Sequence, residues 1–168
     1  MNTISNEQIL EAIKFSFGEV ILHSEESYGL LTITITKESN LKLISWLKEH
    51  KEFQFIFLTD ICGTHYPNST KKELGIIYHL HSFTNNIRIR IKIFTSSDQP
   101  SVLSLTPIFS SANWMERETY DFYGIQFEGH PNLKRILNVD EMDYFPMLKQ
   151  YPLEDGTRTD KDDKYFGR

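Results

Sequence analysis

The sequence predicts an α+β domain of two layers, a mostly antiparallel or mixed sheet of about five strands with helices on one face, followed by an extended C-terminal tail. Three observations lead there. Hydrophobic periodicity runs helix, two strands, helix, three strands, helix, which is the order of an α+β domain. The run NIRIRIKIF (86–94) alternates strictly, with Ile87, Ile89, Ile91 and Ile93 on one face and Arg88, Arg90 and Lys92 on the other. From His130 onward, periodicity gives way to Pro131, Pro146 and Pro152 and a polar end. With 168 residues, the chain suits one domain, taken as residues 1–130, and an arm over residues 131–168.

Residues 6–15 carry Ile9, Leu10 and Ile13 at helical spacing, with Asn6 as the cap. GEVILH (18–23) and GLLTITITK (29–37) read as a hairpin across a polar SEES turn, and Leu31, Ile33 and Ile35 alternate with threonines. Helical spacing returns over residues 38–50 through Leu41, Ile44 and Leu47, starting near Ser39 or Asn40. This helix covers the sheet. Three strands follow at FQFIFLTDIC (53–62), LGIIYHLHS (74–82) and NIRIRIKIF (86–94).

WMERETYDFYG (114–124) reads as a helix that stops at Gly124 in the C′ position. IQF then resumes an extended path, and Gly129, His130 and Pro131 make a turn before Leu133. At 100° per residue, Trp114, Glu118 and Phe122 share a stripe, which places Glu118 among apolar side chains and requires a partner for it. Arg88, Arg90, Lys134 and Arg135 are the cations within reach. Two readings of this helix stand side by side. Glu116, Arg117 and Asp121 solvate it while Glu118 makes one boundary ion pair, or the four charges organise a docking surface.

The charge and residue inventory excludes several classes. A formal net charge of -5 gives no general attraction to phosphate backbones or anionic lipid, so nucleic acid is not an expected partner. Cys62 is the only cysteine. No internal disulfide is possible, and the chain lacks the roughly four thiolates of an iron-sulfur cluster or a zinc ribbon. GxSxG, GxxxxGK and GxGxxG are absent. The start MNTISNEQILEAIK has neither signal-peptide nor transit-peptide character, and no run approaches the roughly 20 apolar residues of a membrane span. A metal site remains as an alternative. Cys62 and His65 lie near one strand end, and His79 and His81 share a face of the next strand, so four ligands could cluster in a small stand-alone metal enzyme.

The run ERETYDFYGIQFEGHPNLKRIL (116–137) resembles the signature of the C-type subunits, the 30 kDa subunit family, of the proton-translocating NADH:quinone oxidoreductase, respiratory complex I. DICGTHYP (60–67), LGIIYHLHS, RIRIKIF and PMLKQYPLEDG (146–156) are similar to further segments of that family. Its signature falls on Glu116, Arg117, Glu118, Tyr120, Asp121, Gly124, Gly129, His130, Pro131 and Arg135. Two places depart from the pattern. His65 stands where an acidic residue is usual, and Leu148 and Gln150 replace an Arg and an Asp in the closing motif.

The resemblance implies a peripheral-arm subunit without a catalytic residue of its own. It binds no cofactor, and FMN, iron-sulfur clusters and quinone belong to other subunits. Its expected partners are the large quinone-site (D-type) subunit, the B-type subunit and neighbouring iron-sulfur subunits. Its expected location is the cytoplasmic side of a bacterial inner membrane, with the matrix side of a mitochondrial inner membrane as the alternative, reached only through the complex. The polar tail is either disordered or an arm ordered against another chain.

Overall fold

The computed structural model describes residues 4–152. Helix α1 (Asn6–Phe17) opens with a capping box, in which the Ser5 side chain accepts from the Gln8 backbone N–H and the Gln8 side chain accepts from the Ser5 N–H. Ser5, not Asn6, is therefore the cap. Strand β1 (Ile21–Ser27) and strand β2 (Leu30–Ile35) form an antiparallel hairpin. SEES lies within β1, and the turn falls on Tyr28 and Gly29 at φ 52° and 75°. A two-residue hairpin loop with both central φ positive matches the right-handed twist of its strands. That geometry, not local polarity, sets the turn's place.

Helix α2 (Asn40–Glu49) follows, then strands β3 (Phe57–His65), β4 (Leu74–Ser82) and β5 (Ile87–Thr95). The sheet order is β1-β2-β5-β4-β3, with β2 parallel to β5 and the other pairs antiparallel. The sheet is thus mixed and five-stranded. Three cross-strand rows form its inner face: Leu31, Ile89, Leu80 and Leu58; then Ile33, Ile91, Tyr78 and Ile61; then Ile35, Ile93, Ile76 and Gly63. Apart from Gly63, every residue in these rows is buried. The helices bring Ile9, Ile13, Leu43, Ile44 and Leu47 to the same core. Removing that apolar area from water, at roughly 25 cal/mol per Å², is the main force holding the layers together.

Strand β3 begins four residues later than its sequence suggests. Phe53 and Phe55 are buried from an irregular segment, where Gln54 adopts φ 48° and the Phe55 N–H bonds Leu47 O at 3.1 Å. Within β3 the register shifts between Leu58 and Asp60. This bulge at Thr59 lets both Leu58 and Ile61 point inward, so Asp60 and Cys62 point outward.

Short strand β6 (Ser101–Leu103) pairs in parallel with β7 (Gln126–Glu128), and helix α3 (Ala112–Tyr123) lies between them in sequence. The helix packs along β3. Thr119 Oγ1 donates to Ile61 O at 3.4 Å, and a Cβ added to Gly63 would overlap the Tyr123 ring. Residues 131–152 then run back over α3. The closing residues EDGTRTDKDDKYFGR and the end of PMLKQYPLEDG lie outside the described residues.

Candidate functional site

Helix α3 is amphipathic in an unusual sense, because its covered sides carry charge. Ala112, Glu116, Arg117, Thr119 and Asp121 are buried, while Trp114 is 60% exposed and Glu118 also faces water. The expectation that Glu118 sits among apolar side chains is therefore corrected. The helix is covered twice, by β3 and the loop after β6 on one side and by residues 131–148 on the other, and Glu118 stands exposed at the rim of the cleft facing β3.

Glu116 is fully buried. Its Oε1 accepts from the Leu105 N–H, and its Oε2 lies 2.6 Å from Ser104 Oγ, which in turn touches Thr106 Oγ1 at 2.7 Å. Burial pushes its carboxyl up to about 7, against the opposing effect of the Ser104 and Leu105 hydrogen bonds. Near neutrality the group is poised between acid and carboxylate. It ties the loop after β6 to α3 in either state.

Arg117 donates from Nε to Lys134 O at 3.1 Å and from Nη2 to Arg135 O at 2.9 Å, with its guanidinium 5.2 Å from the Trp114 ring centroid. Asp121 is saturated. Its Oδ2 accepts the consecutive backbone N–H groups of Ile136, Leu137 and Asn138 at 3.0, 2.8 and 2.9 Å, and its Oδ1 accepts from Arg135 Nη1 at 2.7 Å and Asn138 Nδ2 at 3.0 Å. Burial by itself would raise this carboxyl, yet the backbone donors and the Arg135 guanidinium hold it well below the usual carboxylate range. Arg135 completes the lock by donating to Met142 O and Tyr144 O at 2.8 and 2.9 Å and covering the Phe145 ring.

The remaining signature residues shape the chain around that lock. Gly124 ends α3 at φ 77°, and a Cβ there would lie 2.6 Å from the Phe145 ring. Phe145 also meets Tyr120 edge-on, with centroids 5.9 Å apart. Gly129 takes φ 84°, and the exposed Pro131 follows His130. The His130 Nε2–H reaches Asn113 O at 3.1 Å while Nδ1 accepts the Asn132 N–H at 3.0 Å. One tautomer serves both contacts. Glu116, Arg117, Tyr120, Asp121, Gly124, His130 and Arg135 thus join α3 to the segments that cover it, by hydrogen bond or by packing on Phe145, whereas no such contact involves the side chains of Glu118 or Pro131 among the described residues.

The four-residue metal set does not assemble as the sequence suggested. His65 lies near the arm, where its Nδ1 accepts the Lys149 N–H at 2.8 Å, and His81 stacks edge-on against Phe83. His79 and Cys62 do converge, and Asp60 joins them. Asp60 lies two residues before Cys62 on β3, so alternation puts both on one face, while the bulge at Thr59, which local sequence does not show, sets Asp60 opposite His79. Burial, with Asp60 beside it, pushes the Cys62 thiol up to about 12.

The family model described as respiratory-chain NADH dehydrogenase, 30 Kd subunit, matches residues 33–157. The chain belongs to this family. A C-type subunit of NADH-quinone oxidoreductase from Rhizobium meliloti, the second of its kind there, is 40% identical over 145 residues, covering 86% of this chain and 78% of the relative. The C-type subunit from Sinorhizobium medicae is 38% identical, covering 87% and 72%. Among solved structures, a trypsin-resistant fragment of Nqo5 is 27% identical with a TM-score of 0.62, covering 76% of this chain and 98% of the fragment. A chain of an archaeal membrane-bound sulfane sulfur reductase shares the fold, with a TM-score of 0.74 at 18% identity and coverage of 88% and 85%. For the 30 kDa subunit family, the matched span takes in all of β3 to β7, α3 and the arm through residue 152. No helix among the described residues is long and apolar enough to cross a membrane.

Proposed function

We propose that this chain is a non-catalytic structural subunit of the peripheral arm of proton-translocating NADH:quinone oxidoreductase. It supports electron transfer from NADH to quinone, coupled to proton translocation, by docking chiefly on the large quinone-site (D-type) subunit and also on the B-type subunit and neighbouring iron-sulfur subunits. FMN, iron-sulfur clusters and quinone are held by those other subunits. The chain reaches the cytoplasmic side of the inner membrane through them.

The observation that carries this reading is the arm locked onto α3. The Asp121 and Arg135 contacts hold its backbone in one shape, while Trp114, Leu137 and Val139 stand 60, 64 and 63% exposed on the outside. Rigid backbone under uncovered large apolar side chains suits an assembly interface, where a preorganised surface loses little entropy on binding. Both buried carboxylates are engaged by the protein's own donors, which leaves neither free to meet a substrate.

Affinity purification of the tagged chain from its native membranes in mild detergent tests the reading. Co-purification of quinone-site and iron-sulfur subunits with NADH:quinone activity is expected. Replacing Arg117 or Arg135 should lower the amount of assembled complex far more than turnover per assembled complex. Normal assembly with slow turnover would overturn the structural role.

A further inference from the structure

The outward face of the sheet carries a polar row that the docking element does not use. Thr32, Arg90, His79 and Asp60 are successive cross-strand partners on β2, β5, β4 and β3. At the β3 end of this row, ligand atoms of Asp60, Cys62 and His79 all lie within 4.8 Å of one another. Asp60 is already oriented. Its Oδ1 accepts the Ile61 N–H at 2.9 Å, and its Oδ2 receives the Cys62 thiol at 3.0 Å.

Two features point from this cluster to a ligand. His79 Nδ1 is buried without a hydrogen-bond partner, and a buried nitrogen in that state calls for an ion or water to pair it. Asp60 and Cys62 also line a cleft of about 280 Å³ between β3 and α3, together with Glu118, so the cluster is open to small solutes. Asp60 and Glu118 together outweigh the guanidinium of Arg90, which pairs with His79 in register.

We propose that Asp60, Cys62 and His79 form a binding site for a borderline-soft divalent cation of the zinc type. One carboxylate oxygen, one thiolate and one imidazole nitrogen is a mixed donor set suited to such a cation and poorly suited to calcium or magnesium. On binding, the Cys62 thiol releases its proton to solvent, and the Asp60 oxygen that had accepted it turns to the cation. His79 coordinates as the neutral imidazole, so binding competes with its protonation. All three ligands sit on the β3–β4 ladder, so the cation clips two strands together at the edge of the sheet.

Cobalt(II) titration of the purified full-length chain, with a non-thiol reductant, tests this site. The expected result is one cobalt per chain, with tetrahedral visible bands and a sulfur-to-cobalt charge-transfer band, all displaced by zinc. Because Cys62 is the only cysteine, that charge-transfer band identifies the site even if a substitution unfolds the chain. Asp60→Asn and His79→Ala should each weaken binding at least about 100-fold, beyond the loss typical of an outer-shell contact. Cys62→Ser should abolish the charge-transfer band, and His65→Ala should leave the titration unchanged. Absence of stoichiometric uptake, or uptake without the sulfur band, would overturn the proposal.

Discussion

Arg135 Nη1 lies 2.7 Å from Asp121 Oδ1, with the Asp121 side chain fully out of water and that of Arg135 9% exposed. The partners come from different elements: the carboxylate belongs to α3 and the guanidinium to the arm that crosses it. Arg135→Ala leaves a buried carboxylate without its cation and frees the Met142 and Tyr144 carbonyls. Breaking a buried pair by removing one partner costs about 3–5 kcal/mol. The arm should detach before the sheet melts. Limited proteolysis of Arg135→Ala should give new cuts within residues 131–148 while Ile91 and its neighbours keep slow amide exchange. An uncut arm would mean that Asp121 is held by the backbone N–H groups alone.

Glu116 gives stability a pH dependence of definite sign. Its carboxyl rises from an ordinary 4.5 to about 7 in the folded chain, so the folded state binds the proton more tightly than the unfolded state. Its contribution is fully present below about pH 4.5, declines as pH rises towards 7 and is flat above. The difference is on the order of 3 kcal/mol at roughly 1.4 kcal/mol per pH unit. Glu116→Gln keeps the acceptor for the Leu105 N–H and can donate to Ser104 Oγ without ionising. Urea unfolding of the two chains at pH 5 and pH 8 should therefore show the variant gaining relative stability at pH 8. Parallel pH profiles would contradict this.

Asp121 acts at the acid end with the opposite sign. Its folded carboxyl is held below the unfolded one, so its contribution is present above the unfolded value near 4 and is lost as pH falls further. Asp121→Asn removes that charge and sets an amide N–H₂ against donors. The variant should be destabilised at pH 6 and should approach the native chain in stability as both are taken below pH 4, read by denaturant midpoints. An equal deficit at pH 6 and pH 3 would assign the loss to shape instead of charge.

The sheet was legible because its signal is intrinsic to the strands. The β5 alternation placed Ile89, Ile91 and Ile93 inward and Arg88, Arg90 and Lys92 outward, as the register has them. Gly124 was legible for a similar reason, since only a residue tolerant of positive φ closes a helix in that way. What failed was governed by distant contacts. The apolar stripe drawn through Trp114, Glu118 and Phe122 assumed that burial follows hydrophobicity, whereas α3 buries Glu116, Arg117 and Asp121 because the arm and the β6 loop bring donors and carbonyls to them. Nothing local in WMERETYDFYG announces those partners. The bulge at Thr59, and with it the meeting of Asp60 and His79, was hidden for the same reason.

Gly124 separates backbone strain from crowding. An alanine there must adopt φ 77° and also push its Cβ into the Phe145 ring. Gly124→Ala should destabilise by roughly 1–3 kcal/mol through strain and overpacking together. Adding Phe145→Leu relieves only the second. A double-mutant cycle on thermal stability should return part of the loss and leave a residue of about 1 kcal/mol, the strain of the left-handed conformation. Strict additivity would mean that the ring moves aside without resistance.

Leu137 and Val139 distinguish a surface made for assembly from one that merely tolerates apolar residues. Both side chains are more than 60% exposed, so removing them forfeits little core packing. The Leu137 backbone N–H, in contrast, is fixed on Asp121 Oδ2 at 2.8 Å and survives any side-chain replacement. Leu137→Asp and Val139→Asp should therefore leave the melting of the isolated chain within about 0.5 kcal/mol of native, as surface changes do. Across an interface, each buries an unpaired carboxylate that would need several kcal/mol of compensation. Quantitative recovery of tagged complex from membranes expressing either variant should fall sharply at unchanged chain stability. Full recovery with both residues replaced would move the docking surface away from this arm.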